Sequence, residues 1–360
     1  MLHCNSAIAA LLLGGAVLTA FAQKPPGPAA PSSAVPQQAP SLAVDRDPVR
    51  SPDGTGPNYP AGEVRKEGGG YVLRQDVEEV VLNATVLDGS RLVQDLKKEN
   101  FTVYEDGVKQ NIISFQHTDL PVSMALVVDN SGSMSKKRPA VNKSALDLVQ
   151  ASNPQDEAFV VNFSDEAFID QEFTSDVKKL RDGLSHIESR GGTALYDAVV
   201  ASADKLAADS KRPKQVLILI TDGEDNASTL NLEQTIRRVQ QLSGPLIYSV
   251  GLLFGDEMSH SEVRHARRAL EMLSTETGGI SYFPKSVEQV DQIAAEVARD
   301  IRSQYTIGYH STKPTTDTSF RRVQVVAEEK GAKLNVRTRT GYFPVPRGTK
   351  RPRQTAQSRP

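Results

Sequence analysis

The sequence predicts an α/β fold: a doubly wound, mostly parallel sheet inserted in or flanked by a small β-sandwich. Two observations carry this. Between about residues 119 and 302, short apolar runs alternate with amphipathic helical stripes, the pattern of a parallel sheet covered on both faces. On either side, residues 72–118 and 303–346 alternate apolar and polar positions between turns, the pattern of antiparallel strands.

Ser123–Val128 is a continuous apolar run, as a buried parallel strand requires. A helix follows with Pro139 in its first turn and Val141, Ala145, Leu148 and Val149 inward; Asn153-Pro154 ends it. Ala158–Phe163 is the next strand. Thr174 is placed to cap a helix with Val177, Leu180, Leu184 and Ile187 on one face. After the Gly191-Gly192 turn, Leu195, Ala198, Val199, Ser202 and Leu206 mark another helix, and Gln215–Ile220 is the strongest strand of the chain. Asn231 and Gln234 form a capping-box pair ahead of Leu232, Ile236 and Val239. Leu246–Val250 is a strand, Val263–Leu273 a helix and Ile280–Phe283 a strand; Val287 to Ile301 is the last helix. In the flanks, Asp106-Gly107 between Phe101–Tyr104 and Val108–Phe115 reads as a hairpin. Neither flank can build a core alone, so the two are expected to pair into one β-sandwich, 72–118 its first part and 303–346 its second, around the inserted α/β domain.

The 360 residues suggest about two domains, and a net charge of −2 gives no basis for binding nucleic acid or a membrane surface. The sole cysteine, Cys4, excludes a disulfide framework and a thiolate metal site. Residues 7–22 are uncharged and end in Ala20-Phe21-Ala22. That reads as a signal peptide over 1–22, giving an exported protein (periplasmic, envelope-associated or secreted) with no transmembrane segment in the mature chain. An uncleaved N-terminal anchor is the alternative. Ten of the 21 prolines fall within 23–60, so 23–71 is expected to be a disordered linker. Residues 347–360 carry five basic and no acidic side chains and are expected to be a disordered basic tail, with contact to an anionic surface as the alternative.

Three loops fall where an open α/β sheet binds ligands, beyond the carboxyl ends of its strands. They are Asp129 to Ser133 after the first strand, Gly191-Gly192-Thr193 before a helix, and Thr221 to Asp225 after the strongest strand. They offer hydroxyls and carboxylates and no histidine, a donor set for a hard cation such as Mg²⁺. Brought together, Asp129 and Asp222 repel each other, so one takes up a proton more easily unless a cation lies between them. Singly, each loop has a plainer explanation: Asp129 and Ser131 as helix caps, Thr193 as an N-cap, Asp222-Gly223 as a turn.

Val127-Val128-Asp129-x-Ser131-x-Ser133, Gly192-Thr193-x-Leu195-Tyr196-Asp197-Ala198 and Leu219-Ile220-Thr221-Asp222-Gly223 resemble, in order and spacing, the metal-ion-dependent adhesion site of von Willebrand factor type A domains. That family has a Rossmann-like fold, and the resemblance covers about 119–302. The flanks, with Arg339-x-Gly341-Tyr342-Phe343 behind, are similar to those of secreted bacterial von Willebrand factor A-related proteins. The resemblance implies that the hydroxyls of Ser131 and Ser133 ligate Mg²⁺, with Mn²⁺ or Ca²⁺ as alternative ions. Thr193 would ligate directly in one state and through water in another, and Asp129 and Asp222 largely through waters. An acidic side chain of a protein partner would complete the shell.

The function expected is Mg²⁺-dependent adhesion, with no catalysis. A structural part of a cell-envelope assembly, its metal only stabilising, is the alternative. A phosphohydrolase with Asp129 as nucleophile is disfavoured, because Ser131 stands where that chemistry needs an acid/base carboxylate. Neither a nucleophile elbow nor a phosphate-binding glycine loop is present.

Overall fold

The computed structural model describes residues 79–344, apart from 152, 186–188, 243, 255–257 and 315, together with the backbone of four short segments between 42 and 72. The expected signal peptide, the basic tail, most of the linker and Ile187 lie outside the described residues.

The α/β domain comprises β1 (Val122–Asp129), α1 (Arg138–Gln150), β2 (Glu157–Phe163), β3 (Ala167–Thr174), α2 (Val177–Ser185), α3 (Leu195–Asp209), β4 (Lys214–Thr221), α4 (Leu232–Gln241), β5 (Leu246–Gly251), α5 (His260–Thr277), β6 (Ser281–Tyr282) and α6 (Val290–Arg302). The sheet order is β6-β5-β4-β1-β2-β3. All pairings are parallel except β2 with β3. β3 has no counterpart among the strands expected from sequence. Its residues Asp170, Gln171 and Glu172 interrupt the apolar pattern because it lies beyond β2, with alternate side chains in solvent.

Every residue of β1 is buried, as a central parallel strand must be. Its two faces feed two cores. Met124, Leu126 and Val128 pack with side chains of α1, α2 and α6. Ala125 and Val127 pack with side chains of α3, α4 and α5. The helix starts follow their sequence signals in part. Pro139 is in the first turn of α1, and Asn231 and Gln234 cap α4 reciprocally. Thr174 does not cap α2 directly: its hydroxyl accepts from the Asp176 amide at 3.1 Å, and Asp176 accepts from the Lys178 amide at 2.9 Å.

The flanks build one antiparallel sheet. Its order is Val108–Gln110, Phe101–Glu105, Arg321–Glu329, Ala332–Arg337, Glu79–Asp88, Tyr305–His310, Ile112–Gln116. Strands from before and after the α/β domain therefore interleave, closing the sheet only when both flanks are present. The path is a single hydrogen-bonded one around one core, which includes Leu82, Val86, Val103, Ile307 and Val325. The Asp106-Gly107 and Lys330-Gly331 turns have positive φ at both central residues, the geometry that suits the strand twist of two-residue hairpins. In the stretch expected as linker, the apolar triplet Leu42–Val44 pairs with β3 and Asp47–Val49 pairs back on it.

The two units are joined by Asp300 of α6. It accepts from the Tyr248 hydroxyl of β5 at 2.6 Å and from Arg337 of the flank sheet.

Candidate metal centre

β1 and β4 are neighbours, and the loops that leave their carboxyl ends stand side by side. Parallel pairing in register places Val128 opposite Ile220, and so brings the Asp129 and Asp222 loops together. Asp129 is fully buried. Its Oδ1 accepts from the Ser131 amide at 2.7 Å and its Oδ2 from the Thr221 hydroxyl at 2.5 Å. The Ser131 and Ser133 hydroxyls lie 3.1 Å apart, and Ser133 donates to Asp222 Oδ1 at 2.8 Å. Thr193 lines one open cleft with Ser133 and Asp222.

The Thr193 loop is held by its neighbours. Its amide donates to Asn226 Oδ1 at 2.9 Å, and its carbonyl accepts from the Asn226 amide at 3.0 Å. The preceding glycines are demanded by space. Gly191 has φ +81, and a Cβ on Gly192 would come within 2.7 Å of Asn226 Oδ1 and 2.8 Å of Asp165 Oδ1. Asp165 accepts from the Gly192 amide at 2.8 Å.

The simple capping explanations are not realised. Ser131 stands at the N-cap of the short turn Gly132–Lys136 but makes no side-chain cap. The N-cap of α3 is Ala194, not Thr193. The hydroxyls of Ser131 and Ser133 instead point to each other and to Asp222.

Burial pushes the Asp129 carboxyl above the usual carboxylate range, and the Asp222 charge adds to the rise; hydrogen bonds from Thr221 and Ser131 oppose it. The direction is the one expected from two converging carboxylates, but desolvation is the larger cause.

All five residues expected at the site, Asp129, Ser131, Ser133, Thr193 and Asp222, are thus on one sheet edge. Their donor set is oxygen only and fits a hard cation such as Mg²⁺. Among the described residues no group of three His, Cys, Asp or Glu converges on a metal position; the set here has two carboxylates and depends on hydroxyls.

Sequence reasoning missed three contributors and left a fourth, Thr221, in its loop without a role. Lys137 donates from Nζ to Asp222 Oδ2 at 2.6 Å; its place between the Ser131–Ser133 loop and the α1 start at Pro139 was the available signal. Thr221 secures Asp129 and Asn226 secures Thr193. The cleft of about 240 Å³ also has an apolar wall of Leu253, Phe254 and Met258, which no motif marked.

A doubly wound α/β domain with hydroxyls and carboxylates converging at its carboxyl edge defines the class. The family model described as von Willebrand factor type A domain matches residues 124–224, the stretch that runs from β1 to the loop after β4. Among curated proteins, it is 26% identical over 224 residues to human (Homo sapiens) inter-alpha-trypsin inhibitor heavy chain H4, spanning 57% of this chain and 23% of that protein. It is 29% identical over 169 residues to calcium-activated chloride channel regulator 3A-1 of Mus musculus, spanning 44% of this chain and 17% of that protein. The chain therefore spans less than a quarter of either relative's length. Among solved structures, a von Willebrand factor type A protein from Catenulispora acidiphila aligns with TM-score 0.42 and 14% identity, over 68% of this chain and 73% of that one. The von Willebrand factor domain of the type V pili tip protein Mfa5 from Porphyromonas gingivalis aligns with TM-score 0.39 and 15% identity, over 51% and 97%. Among the described residues, no helix is long and apolar enough to cross a membrane.

Proposed function

We propose that this chain is an exported binding protein that captures an acidic side chain of a protein partner through Mg²⁺. Ser131, Ser133 and Thr193 would hold the ion by their hydroxyls, with Asp129 and Asp222 acting through water. The observation that carries this reading is the chain of hydrogen bonds from the Ser131 hydroxyl to the Ser133 hydroxyl to the Asp222 carboxylate, spent on no helix cap, with Ser133 and Asp222 in a cleft shared with Thr193. The domain class implies interaction or adhesion rather than turnover. Bound Mg²⁺ would supply a positive centre to which a carboxylate can attach. Export is supported by the uncharged segment 7–22 and its Ala-x-Ala end.

Thr193→Ala tests the reading. Thr193 is a proposed ligand whose side chain supports no helix cap, so its loss should weaken Mg²⁺ about tenfold or more in calorimetry. The melting temperature in EDTA should stay near wild type. Mg²⁺-dependent capture of partners from envelope and secreted fractions should be lost. Full capture by Thr193→Ala, with EDTA making no difference, would mean that the metal serves only the fold or is not bound.

A further inference from the structure

Lys137 stands apart from the residues so far assigned. Its backbone is fixed at the start of α1, where its amide donates to the Met134 carbonyl at 2.9 Å. Its ammonium is 2.6 Å from Asp222 Oδ2 and 5.3 Å from the centre of the Phe254 ring. The side chain is only 14% exposed. Among the described residues lining the cleft, Lys137 is the one cation, facing Asp222, Glu224, Asp225 and Glu262.

That charge pattern poses a conflict for an acidic ligand. Four carboxylates attract a divalent cation and repel a partner's carboxylate. A fixed ammonium at the same oxygen cluster has the opposite effect on each. We infer that Lys137 sets the selectivity of the site in two directions: it weakens capture of the divalent cation and strengthens the hold of the loaded site on a carboxylate. The inference rests on the proposed metal reading. Its physical basis is Coulombic: Lys137 uses one oxygen of Asp222 and places a positive charge 2.6 Å from a carboxylate proposed to hold the ion, in a partly desolvated cleft where such charges are poorly screened. The Phe254 ring, 5.3 Å from the ammonium, helps to keep it beside the site.

The test measures both affinities in the full chain. Mg²⁺ is titrated by calorimetry into wild type, Lys137→Met, Lys137→Gln and Lys137→Arg. Acetate, as the carboxylate probe, is then titrated into each at saturating Mg²⁺ and followed by amide shifts of Thr193 and Gly223. The expected result for the two neutral variants is Mg²⁺ binding tighter by about tenfold and acetate binding weaker by a similar factor. Lys137→Arg, which keeps the charge, should stay near wild type in both. Lys137→Gln retains polarity, so the comparison survives if Lys137→Met misfolds. If wild type binds Mg²⁺ and the neutral variants shift both affinities in the same direction, or neither, the role of Lys137 is overturned while the metal reading stands. If no variant and no wild type binds Mg²⁺, the metal reading itself falls.

Discussion

Mg²⁺ at one hundred times its dissociation constant is expected to stabilise the folded chain by about 2.7 kcal/mol, because only the native state assembles the three loops into one site. For a unit of this size that corresponds to roughly 5–10 °C in melting temperature. Differential scanning calorimetry in Mg²⁺ against EDTA measures it. Asp222→Ala should abolish the difference between the two buffers: it removes the carboxylate to which Ser133 donates and which Lys137 neutralises. It should also lower the EDTA melting temperature, since the largely buried Lys137 ammonium loses its partner. Identical melting of wild type in both buffers would falsify the metal site.

The second large effect lies in the flank sheet. Arg321 and Glu105 are both fully buried, 3.6 Å apart. Glu105 also accepts from Tyr309 at 2.8 Å, Tyr342 at 2.9 Å and Ser311 at 2.5 Å. The carboxylate pushes the Tyr342 hydroxyl up to about 12, after burial, which is the larger cause. Arg321 in turn donates to the carbonyls of Pro314 and Asp317 at 2.7 and 3.1 Å, pinning the loop before its own strand. Arg321→Met leaves a buried carboxylate with neutral donors only, and should destabilise the protein by about 3–5 kcal/mol. Urea denaturation measures it. Combining Arg321→Met with Glu105→Gln should cost less than the sum of the two, because the second change removes the stranded charge. A loss under about 1 kcal/mol for Arg321→Met would show that the pair does not hold the sheet.

These two effects separate by domain, and the sequence foresaw their settings unequally. The convergence of the candidate site was legible because its residues sit in short local runs at strand ends: Asp129, Ser131 and Ser133 after β1, Asp222 after β4. A parallel sheet delivers consecutive strand ends to one edge, so local spacing already implied convergence. The hairpin at Asp106-Gly107 was legible for a like reason, since its turn chemistry is local. Strand β3 was not. Its Asp170, Gln171 and Glu172 look like loop residues until the part of the strand beyond its pairing with Leu42–Val44 gives alternate side chains solvent. The Arg321–Glu105 pair was equally invisible, being separated by more than two hundred residues and charged where a core was expected.

Periodicity and turn chemistry, which act over a few residues, were enough for the α/β class, for the strand pattern of the flanks and for placing five oxygen-bearing residues at one sheet edge. The sequence also left one cysteine, at position 4, and so a fold held without disulfides. That the two flanks interleave in one sheet, that Ser131 and Thr193 are not spent as caps, and that Lys137 faces Asp222 emerge only from the folded chain. The physical reason is the same in each case. Pairing partners and charge neighbours are chosen by packing across long sequence separations, where burial and Coulomb forces act through space and leave no periodic trace in the chain.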